Sequence, residues 1–193
     1  MKLTVEKALE MLEECKGKTE SDKWIYHSIC VGNTAGVIEK ALNLDSEKAK
    51  VFGYIHDIGK SVGEFKEHAL NGYNYLKELG YDEEYANICL THPFLNNDYL
   101  CTPAGVPDDI PFVTNFIKNH KYSIYEKIIN LCDLMCTNVV NTLDKRLISI
   151  IIKIGIFENT RYNIEEIYKL KEYFDKLLGY DVYDLFPEIK NNL

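Results

Sequence analysis

Six side chains of this sequence carry donor atoms for a metal ion and stand at helix positions that turn polar groups inward. His27 lies in the middle of WIYHSIC, and His56 and Asp57 end the apolar run in YIHDIGK. His68 opens the next helical stretch, His92 ends the following one before Pro93, and Asp133 sits in IINLCDLMC. Each alone says little, because a lone histidine on an apolar helix is more often a hydrogen-bonded core residue. Neighbouring helical residues such as His56 and Asp57 also point about 100° apart, so they share one ion only if the helix ends there. Gly59 is expected to supply that end, and Lys60 then projects beside the site as a fixed positive charge. The competing role for Lys60 is to satisfy the carbonyls of the helix end.

Asp133 is the most informative member. An unpaired buried carboxylate costs several kcal/mol, so it needs a partner. Its neighbours one turn away are Ile129, Asn130, Cys136 and Thr137, none of them basic. A cation from elsewhere is required, and a metal is the simplest one.

Helical periodicity dominates the elements that would position these groups. Residues 4–15 place Val5, Ala8, Leu9 and Leu12 on one face before Gly17, and a second helix over 22–43 carries Ile25, Ile29, Val37 and Leu42. Asp45 or Ser46 is expected to cap a third, SEKAKVFGYIHDI. Residues 67–79 form another, ended by Gly80, and Asp82 caps EEYANICLTH. Pro93, Pro103, Pro107 and Pro111 then mark residues 93–121 as an irregular segment suited to a lid. Ser123 and Glu126 read as a capping box opening a helix through Asp133 to about Val140. LDKRLISIIIKIG and NIEEIYKLKEYFDKLLG supply two more helices, so the fold class is all-α.

A chain of 193 residues fits one domain, expected over 1–193 with a core of about 22–140 and the helices of 141–193 packed on it. Its 46% apolar and 27% charged residues are ordinary for a globular protein. No apolar run reaches the roughly 18 residues of a membrane span, and MKLTVEKALEMLEE is an amphipathic pattern, not a signal peptide. The scattered cysteines, with Cys132 and Cys136 one turn apart as small core residues, indicate a reducing, cytoplasmic compartment. A net charge of −8 argues against a long nucleic acid as partner. It leaves room for a small phosphorylated substrate, because bound divalent metals outweigh local negative charge.

The order H…HD…H…H…D, here His27, His56-Asp57, His68, His92 and Asp133, resembles the HD-domain metal-dependent phosphohydrolases. ALNLDSEKAKVFGYIHDIGK and EHALNGYNYLKELG strengthen the resemblance, which covers about residues 22–140 and implies a compact HD-domain helical bundle. It implies that His27, His56, Asp57 and Asp133 hold one ion. It further implies that His68 and His92 hold a second, with Asp57 bridging; beside such ions Lys60 would assist catalysis by offsetting charge on the phosphate or orienting a ligand carboxylate. The mixed donor set suits Fe, Mn, Co, Ni or Zn. The expected reaction is hydrolysis of a small phosphomonoester or phosphodiester, with nucleotides the foremost substrate class. Two other readings are a diiron oxygenase on the same ligands and a non-catalytic nucleotide-sensing module.

Further candidates lie around this set. Lys60 and Arg146 could contact a substrate phosphate, although Arg146 also fits a solvated helix start. Tyr26, Tyr54, Tyr73 and Tyr99 flank the expected ligands, with core packing as their default. His120, outside the pattern, reads as a surface-loop residue. The oligomeric state is open.

Overall fold

Local caps start several helices where the sequence places them. In α1 (Val5–Glu14) the Thr4 side chain accepts from the Lys7 amide, and in α7 (Ile124–Met135) Ser123 and Glu126 form the full capping box. Pro111 occupies the first turn of α6 (Pro111–Asn119), and Thr142 caps α8 (Leu143–Ile154). The other helices are α2 (Lys23–Ala41), α3 (Lys48–Ile55), α4 (His68–Glu78), α5 (Glu83–Thr91) and α9 (Thr160–Leu178). The computed structural model describes residues 1–44, 47–103 and 105–191, and among them there is no sheet, only a bridge between Cys136 and Val140. The fold is all-α. None of the helices among the described residues is long and apolar enough to cross a membrane.

Several local expectations are corrected. Leu9 and Val37 are largely exposed, not part of the core face. Asp82 precedes α5, but its side chain makes no capping bond. The helix carrying Asp133 stops at Met135, because Cys136 turns into extended backbone and pairs with Val140. The segment 93–121 is not wholly irregular: α6 lies within it and buries Val113 and Ile117 against Leu90 and Phe94. The expected cap residues Asp45 and Ser46 lie outside the described residues. Among those described, Glu39 of α2 reaches across to cap α3, its carboxylate accepting from the Glu47 and Ala49 amides at 3.0 Å each.

α2, α3 and α7 form the centre of the molecule, with Ile25, Val31, Ile38, Phe52, Ile55 and Ile128 buried between them. The crossing of α2 and α3 runs through two glycines. A Cβ on Gly53 would lie 2.4 Å from Gly32 Cα, so no other residue allows this approach. α4 and α5 pair on one side of this centre, and α8 and α9 pack on α7. Ile167 and Phe174 of α9 join the main core.

Candidate metal centre

The six expected ligand residues come from five separate parts of the bundle and meet at the buried end of one cleft. His27 stands on α2, His56 is the residue that caps the C-terminus of α3, and Asp57 leads into a 3₁₀ turn over Ile58–Ser61. His68 begins α4, His92 ends α5, and Asp133 lies in the last turn of α7. Gly59 has a different reason from the one expected. α3 already ends at Ile55, and a Cβ on Gly59 would fall 2.0 Å from the His68 carbonyl oxygen and 2.3 Å from the Gly72 nitrogen. Its missing side chain therefore lets the 3₁₀ turn lie directly on the α4 backbone, which sets His68 beside Asp57.

Asp57 is the hub. Its Oδ2 lies 3.5 Å from His56 Nε2 and 4.0 Å from His27 Nε2, while Oδ1 lies 3.4 Å from His68 Nε2 and 3.6 Å from His92 Nε2. Asp133 Oδ1 is 2.9 Å from His27 Nε2 and 3.8 Å from His56 Nε2. The donor atoms form three overlapping groups: His27, His56 and Asp57; His56, His92 and Asp133; and Asp57, His68 and His92. Asp133 is less enclosed than its apolar neighbours suggested, with a side chain 24% exposed to the cleft.

Hydrogen bonds on the far side of each ring orient the donors. His56 Nδ1 donates to the Gly53 carbonyl at 2.7 Å, His92 Nδ1 to Ile88 at 3.2 Å, and His27 Nδ1 to Thr137 at 3.3 Å. Those partners assign the Nδ1–H tautomer, so each Nε2 lone pair faces the centre. Asn130 fixes the end of α5 by donating to the carbonyls of Thr91, His92 and Phe94.

Three features show that this set fits a cation. His56 Nε2 is fully buried with no hydrogen-bond partner, which is costly for a polar atom unless something electrophilic takes it. His68 Nε2 and His92 Nε2 face each other at 3.3 Å, where two lone pairs repel unless a proton or an ion lies between them. His27 has an acceptor on both ring nitrogens, a carbonyl and a carboxylate, so its Nε2 side must carry positive charge.

The electrostatics agree with the geometry. Burial pushes His56 down, and burial together with the neighbouring imidazoles pushes His92 down to about 3. Both rings are therefore neutral and able to ligate. Burial also opposes charge on His27, but the hydrogen bond and field of Asp133, with that of Asp57, outweigh it and raise the pKa. For Asp57, burial is overcome by Lys60 and the surrounding imidazoles, which hold the carboxyl well below its usual range. For Asp133, burial is overcome chiefly by His27. Lys60 Nζ donates to Asp57 Oδ2.

Residues 24–137 match the model of the family described as HD domain, which is more than half of the chain. The chain belongs to the HD-domain family. HD domains in general are metal-dependent phosphohydrolases, and the donor groups above could hold a metal in this one. Curated relatives match in part. Ribonuclease Y of Fervidobacterium nodosum is 37% identical over 68 residues, which is 34% of this chain and 13% of that relative. Ribonuclease Y of Thermosipho melanesiensis is 38% identical over the same length and shares. An uncharacterized protein of Methanocaldococcus jannaschii is 33% identical over 92 residues, 45% of this chain and 52% of that relative. The chain thus spans about an eighth of the ribonucleases' length and about half of the archaeal protein's. No solved structure matches it.

Around the HD centre, the cleft has a volume of about 920 Å³ and is lined by residues from α2, α4, α5, α7 and α8. Lys60 and Arg146 both line it, and Arg146 Nε donates to the Cys136 carbonyl at 3.0 Å. Sequence reasoning missed Lys23 and Lys153, which also line the cleft and carry no local signal. Of the four tyrosines, only Tyr26 reaches it. Tyr54 is buried and donates to Asn33, Tyr73 packs on Phe112 and Phe116, and Tyr99 packs on Phe94. His120 is not a free surface residue: its Nε2 lies 2.7 Å from Glu126 Oε1 and its ring stacks on Phe116.

Proposed function

We propose that the chain hydrolyses a small phosphate ester, a nucleotide or a related phosphomonoester or phosphodiester, with two divalent transition metals in this site. The observation that carries the reading is the disposition of Asp57. One of its oxygens faces His27 and His56 and the other faces His68 and His92, as a bridging carboxylate requires. His27, His56, Asp57 and Asp133 would hold one ion, and Asp57, His68 and His92 the other, with Fe, Mn, Co, Ni or Zn suited to the donors. Ions so held would supply Lewis acidity, activating water near neutral pH and offsetting negative charge on the phosphoryl oxygens.

The chain's own groups do the positioning. The Nδ1 bonds to Gly53, Ile88 and Thr137 keep three rings aimed at the centre before anything binds, so little reorganisation is left to the reaction. Lys60, tethered to Asp57 and lining the cleft, supplies a fixed positive charge beside a bound phosphoryl group. Arg146, held by the Cys136 carbonyl and lining the same cleft, would meet a substrate phosphate there. The floor is buried while the mouth is open, which suits a small ester better than a duplex.

The test is hydrolysis of an aryl phosphate and a nucleotide panel by protein loaded with Mn, Co, Fe or Ni. Asp57→Ala should lose both bound metal and turnover, with Asp57→Asn as the isosteric check on folding. No turnover of any of these esters with any of the metals, or full metal content and turnover in Asp57→Ala, would sink the proposal.

A further inference from the structure

The cleft has two chemically distinct ends. Its floor is the buried cluster of imidazoles and carboxylates. Its wall and mouth are built from the start of α2, with Lys23 and Trp24, and from one face of α8, with Arg146, Ile150, Lys153 and Ile154. The chain carries 30 acidic against 22 basic residues, yet the only carboxylates lining this cleft among the described residues are Asp57 and Asp133. Several basic groups elsewhere are neutralised, as Lys48 is by Glu84 and Lys171 by Asp175 and Asp181. No carboxylate among the described residues pairs with Lys23, Arg146 or Lys153. Three cations that converge on one cleft without counter-charge raise the local concentration of anions there. Trp24, Ile150 and Ile154 add apolar surface to the same cleft.

These residues also lie outside the segment that matches the family, which covers 24–137, except for Trp24 at its first position. The α8 face thus lies beyond the matched segment that carries the metal floor.

We propose that the substrate carries a second phosphate, received by Lys23, Arg146 and Lys153 while the ester to be cleaved lies over Asp57 and Asp133. The inference rests on the hydrolase reading above and adds the substrate class. The second phosphate belongs either to a nucleoside bisphosphate or to the next unit of a short oligonucleotide. In both, a nucleoside body lies between two anions and matches the apolar stretch of wall.

The experiment compares adenosine 5′-monophosphate, adenosine 3′,5′-bisphosphate and the 5′-phosphorylated dinucleotide pApA, each with metal-loaded protein. One of the two substrates that carry a second phosphate should exceed the monophosphate in kcat/KM by about 10- to 100-fold, the range of one lost hydrogen bond to a charged group, mainly through KM. Whichever is preferred identifies the source of the second phosphate. Arg146→Ala with Lys153→Ala should bring that ratio towards one. Lys153→Glu alone, at an exposed position, should lower it without a threat to folding. Raising NaCl from about 50 to 500 mM should also lower the ratio in the wild type, because screening acts on exposed cations.

Calorimetric binding of the bisphosphate to metal-stripped protein gives a readout independent of turnover, and the double variant should weaken it. A wild-type ratio near one, or a ratio and affinity that the variants leave unmoved, overturns the inference. If no ester is cleaved at all, the hydrolase reading fails, and the metal-free binding still decides whether the cation wall receives a second phosphate.

Discussion

The two halves of the metal centre are held by different means. His27, His56 and Asp133 stand on α2, α3 and α7, the helices that enclose the main core, and their geometry follows from the Gly32–Gly53 crossing and dense apolar packing. His68 and His92 stand on α4 and α5, outside that centre. They are brought to Asp57 by the backbone approach at Gly59, by the three carbonyl bonds of Asn130, and by Leu76, Tyr85, Ile88 and Cys89, which reach into the main core. His68 is also the more exposed ring of that half, at 20% against 3% for His92. A half built into the core tolerates little change without unfolding. In the other half the exposed His68, seated through the Gly59 contact, is the ligand expected to be lost first.

The strongest test of this contrast is Gly59→Ala. The added carbon cannot share space with the His68 carbonyl, so α4 must shift by more than an ångström. We expect a destabilisation of about 1–3 kcal/mol, typical of forced overpacking, and a fall in bound metal from two ions to one, read by thermal melts and elemental analysis.

A second test sets His68→Ala against His27→Ala. The first should keep one ion and a native melting temperature. The second should lose tightly bound metal and leave Asp133 without its 2.9 Å partner, a cost of roughly 1–3 kcal/mol for an abandoned charged acceptor. Equal metal content in the two variants would abolish the distinction between the halves.

The smallest effect lies away from the ligands, where α7 is anchored by Glu126. Burial opposes its charge, but bonds from His120 and from the Ser123 amide and hydroxyl outweigh it, so its pKa falls below 4.5. A carboxyl with a lowered folded pKa stabilises above its unfolded value and loses that contribution as pH falls through the folded one. Wild type should therefore lose stability below about pH 4.5. Glu126→Gln should be less stable at neutral pH by about 1 kcal/mol, the usual net worth of such a bond, and should show a flatter acid limb in denaturant titrations.

How far the sequence could be read follows the range of the interactions. Helix starts set by neighbouring residues were legible, as at Ser123 with Glu126. The ligand set was legible in kind because imidazoles and carboxylates in apolar helical text need partners. Contacts across the bundle were not. Glu39 caps a helix eight residues downstream, and His120 finds Glu126 through the path of the loop. Gly59 looked like a helix stop because a sequence does not show which backbone lies against a glycine.

The residues alone determined an all-helical chain and named candidate ligands, since periodicity, capping and the order of the histidines and aspartates are written in the sequence. Only the tertiary structure decided that the two oxygens of Asp57 face opposite halves of the ligand set. Only it placed Lys23, Arg146 and Lys153 along one cleft. Both depend on where distant helices pack, and packing is a property of the whole core.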